Sequence, residues 1–255
     1  MIELYPKPEQ RIYFASDFHL GIDARDDTQK REQKIVAWLD ACKKDAYAIF
    51  LVGDLFDFWF EYKHTIPKGY TRFLGKLAEL SDAGIELHIF TGNHDLWMFG
   101  YFEKELGAKV YHEPQELMIH EQLILIGHGD GVGPGDKGYK MLKRIFTHPF
   151  YQWLFHWLHP NIGIGIANFW SGRSRAKANN HEQIFLGEEE WIWSYCKEMQ
   201  KRKAHAYYLF GHRHLPLTLE VPPGGTYINL GEWLHSYSYA IYESGEIKLK
   251  YWNAS

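Results

Sequence analysis

Cysteine is scarce in this chain: its 255 residues include only Cys42 and Cys196. They lie far apart in helical patterns, so a disulfide framework is not expected and the composition suits a reducing cytoplasm. Long apolar runs are missing too. No uninterrupted stretch reaches the roughly 18 residues of a membrane-spanning helix. The N-terminal stretch, with Glu3, Lys7 and Glu9, has no signal-peptide core. The expected protein is neither secreted nor transmembrane. A basic excess is also absent: the formal net charge is −4, which argues against a generally basic nucleic-acid binder. There are no internal repeats or low-complexity tracts, and no obligatory protein partner is inferred.

What the chain does have is apolar material. Hydrophobic residues make up 45% of it and aromatics 17%, enough for a sizeable core. Ile35, Trp38, Leu39 and Cys42 fall at i, i+3, i+4 and i+7, the stripe of an amphipathic helix packed on a sheet. Phe73, Leu74, Leu77 and Leu80 repeat that spacing, with Gly84 as the helix stop. The first half therefore reads as alternating strand and helix. From Thr218 to Trp252, alternating apolar and polar residues with turn signals at 222–225 and 244–245 predict antiparallel strands that close the domain.

Five short apolar runs share one ending. Ile12 to Ser16 leads into Asp17 and His19, and Ile49 to Gly53 into Asp54. Leu87 to Gly92 leads into Asn93 and His94, Leu123 to Gly127 into His128, and Tyr207 to Gly211 into His212 and His214. Each run reads as a strand, and open α/β sheets gather ligands outside the carboxyl ends of their strands. Oxygen and imidazole donors without sulfur suit manganese, iron or zinc, and a hydrolytic site with two divalent cations needs such a set.

In chain order these segments spell SDFH, GDLFDFW, GNHD, GHGD and GHRH. The set resembles the calcineurin-type metallophosphoesterases. That resemblance implies an αββα sandwich and two divalent cations that activate a water for phosphoryl transfer. It makes Asp54 the bridging carboxylate, with Asp17, His19 and His214 on one cation and Asn93, His128 and His212 on the other. His94 is similar to the family's catalytic histidine, and Asp57 and Asp130 would orient ligands from behind.

Between 136 and 187 the pattern changes to a helical insert without strand-like runs. Phe146, Phe150, Trp153, Leu154, Trp157 and Leu158 sit at helical spacing, and Pro149 and Pro160 are expected to bound that helix. Arg173, Arg175 and Lys177 form a basic stretch, and a second helix is predicted from Glu188 to Lys201. The stripe can pack as core or serve as a lid for an acylated, anionic substrate; each buried CH₂ is worth about 0.8 kcal/mol. The expected organisation is one domain over 1–255 with the lid at 136–187.

Over nearly its whole length the chain resembles the UDP-2,3-diacylglucosamine pyrophosphatases of lipid A biosynthesis. The resemblance rests on SDFHLG, GDLFDFW, GNHD, HGDGVGPGDKGY, the helical insert, and the turn at Gly231, Glu232 and Trp233. It implies Mn²⁺, an acylated UDP-sugar as substrate, release of UMP, and peripheral attachment to the inner face of the cytoplasmic membrane. It also implies substrate contacts by Asn93, His94, Asp136, Tyr139, Ser174 and His212. The family pattern has arginine where His94 stands here, and a lysine late in its insert has no obvious match. Two competing readings are a soluble phosphoesterase for phosphoproteins or nucleotides and a catalytically silent scaffold.

Overall fold

The computed structural model describes residues 1–22, 27–133, 137–167 and 184–253. Two six-stranded sheets face each other. The first runs β1 (Ile2–Leu4), β6 (Gln115–Ile119), β7 (Gln122–Gly127), β8 (Tyr207–Phe210), β10 (Gly225–Asn229), β9 (Leu217–Val221). The second runs β12 (Glu246–Tyr251), β11 (Ser238–Glu243), β2 (Arg11–Ala15), β3 (Ala46–Val52), β4 (Glu86–Phe90), β5 (Lys109–Tyr111). Helices α1 (Thr28–Cys42), α2 (Thr71–Asp82) and α3 (Tyr101–Leu106) belong to the second sheet's half. After β7 come α4 (Lys137–Thr147), α5 (Pro149–His156) and a helical stretch at 160–167 (α6), and then α7 (Trp191–Arg202) returns to the first sheet.

Side-chain alternation builds the layers, because successive strand residues point to opposite faces. Tyr13, Ala15, Ile49, Leu51, Leu87 and Ile89 pack with the buried stripes of α1 and α2. Their neighbours Ile12, Phe14, Ala48, Phe50, Val52 and Phe90 meet Leu117, Ile119, Ile124, Ile126 and Leu209 of the opposite sheet. Leu125, Tyr208, Phe210 and Tyr227 turn outward onto Ile192 and Cys196 of α7. The result is the αββα sandwich expected. Both cysteines are buried and free.

Two expectations need correction. The C-terminal strands pair as the expected antiparallel hairpins, β9 with β10 in the first sheet and β11 with β12 in the second, but not solely antiparallel, because β10 also pairs parallel with β8. Alternation reports a strand's two faces but not which sheet receives it. The insert's aromatic stripe is also two helices rather than one. Phe146 ends in α4, while His148 caps α5 by accepting from Phe150 N, with Pro149 in its first turn. Pro160 opens α6 instead of merely following a helix, as a residue whose missing N–H costs nothing in a first turn can. The short β1, β5, β6 and α3 carry too little periodicity to be read from sequence.

Parallel pairing of β2, β3 and β4 in one sheet, and of β7 and β8 in the other, brings five strand ends to one edge of the sandwich. Backbone bonds stitch the loops there: Asp17 N to Gly53 O at 3.0 Å, His19 N to Asp54 O at 3.0 Å, and Gly211 N to His128 O at 2.9 Å.

Candidate metal centre

The loops at this edge bend sharply and their donors sit on the bends. Asp17, His19, Asp54, His212 and His214 all have left-handed backbones, with φ of 57°, 45°, 52°, 68° and 49°. Non-glycine residues adopt this at a cost of about 1–3 kcal/mol each, so the surroundings must hold them. Glycine before the donors has a steric reason. A Cβ on Gly92 would lie 2.2 Å from Asp54 Oδ1, and one on Gly53 would lie 2.5 Å from His128 Nδ1. In both places the loop of one strand passes across the donor of another.

Three groups of donors converge: Asp17, His19 and His214; His19, Asp54 and His94; and Asp54, His128 and His212. Within each the donor atoms lie within 4.8 Å of one another. Asp17 Oδ1 is 3.1 Å from His214 Nε2, and His19 Nε2 is 2.9 Å from the same nitrogen. Asp54 Oδ2 stands between the halves, 3.9 Å from His19 Nε2 and 3.4 Å from His128 Nε2. Asn93 Oδ1 closes the second half, 3.3 Å from His128 Nε2. All seven residues expected to carry donors are therefore together. His94, expected beside the cations, shares a donor group with His19 and Asp54.

The arrangement fits divalent cations on two observations. Asp17 Oδ1 is buried and makes no well-formed hydrogen bond, its near neighbours being the ring nitrogens of His214 and His19, an expensive state for a carboxylate that a cation would relieve. His128 Nδ1 donates to Val52 O at 2.9 Å, so Nε2 is the nitrogen aimed at the cluster. The three groups are consistent with a dinuclear divalent-metal site of oxygen and nitrogen donors.

Burial sets the electrostatics. It opposes the charge on Asp17, but contacts with His19 and His214 outweigh it and hold the carboxyl well below its ordinary range. Burial likewise opposes ionisation of Asp54, and the positive field of His128 and His94 overcomes it. His128 is pushed up to about 10 because Asp54 outweighs the burial that would lower it. Burial, helped by His128, brings His212 down to about 4, and burial also lowers His19.

Several supporting residues were not singled out from sequence. Asp95 accepts from Gly92 N at 2.7 Å and Leu55 N at 2.7 Å, tying the GNHD loop to the GDLFDFW loop. Burial and the nearby Asp54 raise it to about 7. Arg31 donates to the carbonyls of Phe18 at 3.0 Å and His19 at 2.7 Å, clamping the first donor loop from α1. The signal was available: Arg31 lies one turn before Ile35 on the buried stripe, where a charge needs a partner. Arg213, between His212 and His214, is buried against Glu190 at 2.7 Å, which anchors the last donor loop to the start of α7. His94 Nδ1 donates to Asp57 O at 3.0 Å, and Asp130 accepts from Tyr139 and pairs with Lys143 at 2.8 Å. Asp57 therefore backs His94 rather than one of the seven expected ligands, and the contacts of Asp130 are to Tyr139 and Lys143 rather than to a ligand imidazole. Tyr139 reaches the site edge, its ring 6.5 Å from that of His212. Asp136 and Ser174 lie outside the described residues, as do Arg173, Arg175 and Lys177.

Two sheets that bring five loops of Asp, Asn and His to one edge define a class. The chain belongs to the calcineurin-like phosphoesterase family, whose sequence model matches residues 10–216. It is a metal-dependent hydrolase of that type. Among its relatives, the UDP-2,3-diacylglucosamine hydrolase of Porphyromonas gingivalis W83 is 36% identical, covering 94% of this chain and 97% of the relative. The protein of the same name from Actinobacillus succinogenes is 28% identical, covering 88% of this chain and 92% of the relative. A dimetal phosphatase from Danio rerio aligns with a TM-score of 0.49 at 11% identity, over 96% of each chain.

Proposed function

We propose that this chain hydrolyses the diphosphate of UDP-2,3-diacylglucosamine, releasing UMP and 2,3-diacylglucosamine 1-phosphate. One observation carries the acylated half of the reading. A cavity of about 320 Å³ opens beside Asn93 and His94, and its walls are Phe58, Leu96, Trp97, Leu142, Phe146 and Phe155. A phosphoesterase for phosphoproteins or free nucleotides has no need of such a wall next to its reacting centre. The names of the relatives support the same substrate.

In this reading Asp54, Asp17, His19 and His214 would hold one Mn²⁺ ion, and Asp54, Asn93, His128 and His212 would hold the other. Bound there, the cations supply the activated water and neutralise charge on the diphosphate. His94, held by Asp57 O, stands where it can donate to a phosphoryl or leaving oxygen. Asn93, Tyr139 and His212 face the substrate, with Asp136 and Ser174 completing the contacts. The whole chain acts as one metallophosphoesterase domain, and 136–187 serves as its lid.

The lid's outer face supports peripheral docking on the inner face of the cytoplasmic membrane. Phe155 turns inward, 4.8 Å from Phe60 and 4.7 Å from Trp97 between ring centroids. Phe150, Trp153, Leu154 and Trp157 stay exposed, Trp157 by 72%. Among the described residues no helix is long and apolar enough to cross a membrane. An interfacial helix with aromatic side chains outward is one way a protein reaches a lipid substrate.

The test is UMP release from UDP-2,3-diacylglucosamine by manganese-loaded protein, with Asp54→Asn and UDP-N-acetylglucosamine as controls. Asp54-dependent release from the acylated substrate alone is expected. Asp54-dependent cleavage of a generic phosphodiester without UMP release would keep the phosphoesterase and discard the lipid.

A further inference from the structure

Helix α4 is a partition. Tyr139, Leu142 and Phe146 line the apolar cavity, while Lys140, Lys143 and Arg144 line a second cavity of about 600 Å³ on its other side. Adjacent helical residues are about 100° apart, so these two sets form two faces of one rod. Both cavities reach the donor cluster: the apolar one at Asn93 and His94, the second at His128 and Asp130.

The geometry points to the second cavity as the seat of the nucleotide half of the substrate, with Lys140 and Arg144 directed to its phosphate. This deepens the function proposed above and rests on it. A diphosphate held over the cluster sends one half of the molecule to each side. Acyl chains partition to the side walled by Phe and Leu, which leaves the charged, hydrogen-bonding half for the cationic side. The volume is in the range of small-ligand sites, roughly 300–1,000 Å³. Lys143 is engaged by Asp130 at 2.8 Å, and the Lys140 ammonium donates to the Gly133 carbonyl, with no carboxylate paired to it among the described residues. Arg144 is exposed on the same face. Three cations thus face two carboxylates, Asp130 and Glu113, one of them already paired. Phe99 and His112 add an aromatic face and a ring-nitrogen hydrogen bond for a base.

The probe is UMP, bound to manganese-loaded full-length protein and followed by calorimetry and by inhibition of substrate turnover. Arg144→Glu and Lys140→Ala should each weaken UMP by at least about tenfold, the loss expected of one charge-assisted hydrogen bond. The KM for UDP-2,3-diacylglucosamine should rise in parallel. Phe155→Ala, in the other cavity, should leave UMP affinity as it is. Unchanged UMP affinity in cation variants that keep wild-type melting and metal content would overturn the inference. So would inorganic phosphate binding as tightly as UMP, which would make the cavity a bare anion site. If Lys140→Ala does not fold, the exposed Arg144→Glu decides. Wild-type protein that binds UMP through these cations but does not cleave the acylated substrate would sink the proposed function alone.

Discussion

Helices α1 and α5 have the same kind of sequence and opposite fates. Each carries large apolar residues at helical spacing. In α1, Ile35, Trp38, Leu39 and Cys42 are all buried, Trp38 to 1% exposure. In α5 no residue is buried, and Trp153 is 56% exposed. The reason is what each helix meets. Helix α1 connects the parallel neighbours β2 and β3, so the crossover lays it on the sheet it has just left. Helix α5 follows a capped break after α4 and lies over the edge where the donors gather, touching the sandwich through Phe155. An apolar stripe reports that a helix has a greasy face but not what covers it.

The strongest test of this division separates chemistry from docking. Asp54→Asn should lower cleavage by at least about 10³-fold while leaving binding to anionic vesicles, measured by sedimentation, unchanged. Loss of both would mean that the insert depends on the donor cluster for its structure. Next come the two tryptophans. Trp38→Ala should destabilise by about 3–5 kcal/mol and Trp157→Ala by no more than about 0.5 kcal/mol, read from urea unfolding of the two variants. Equal losses would place α5 in the core and abolish the contrast. A smaller effect is expected for Trp153→Asp, which should weaken vesicle binding by about tenfold with the melting temperature unchanged.

A pH response is expected from the sandwich edge. His128 in metal-stripped protein is held at about 10, above its ordinary 6.5, so the charged form stabilises the fold. That contribution is complete below pH 6.5 and is lost as pH rises through 10. Stripped protein should therefore melt lower at pH 10 than at pH 6.5. Manganese affinity should move the other way, because binding must displace the His128 proton. Thermal melts and manganese titrations across that window check both signs, and a His128→Gln variant should flatten the melting trend.

The donor cluster was legible because strand ends and donor residues are both local signals. Asp17, His19, Asp54, Asn93, His128, His212 and His214 each follow a readable apolar run, and parallel strands must bring such ends to one edge. The clamps were not legible. Asp95 and Arg213 look like ordinary polar residues until the fold sets Asp95 against the amides of Gly92 and Leu55, and Arg213 against Glu190. The C-terminal hairpins show the same limit. Residues 217–251 alternate as strands should, yet β9–β10 and β11–β12 enter different sheets.

By itself the sequence determined the layers and the chemistry of the edge. Alternation in β2, β3, β4 and β7 divides side chains between two faces, and the donor types exclude a sulfur-bound metal. Only the tertiary structure decided which apolar stripes are core and which remain exposed. It also decided that α4 separates an apolar cavity from a cationic one, and that Asp54 stands between the halves of the cluster. The physical reason is range: periodicity and donor type are properties of neighbours in the chain. Burial, the pairing of buried charges and the sharing of a carboxylate between loops depend on residues that meet only when both sheets close.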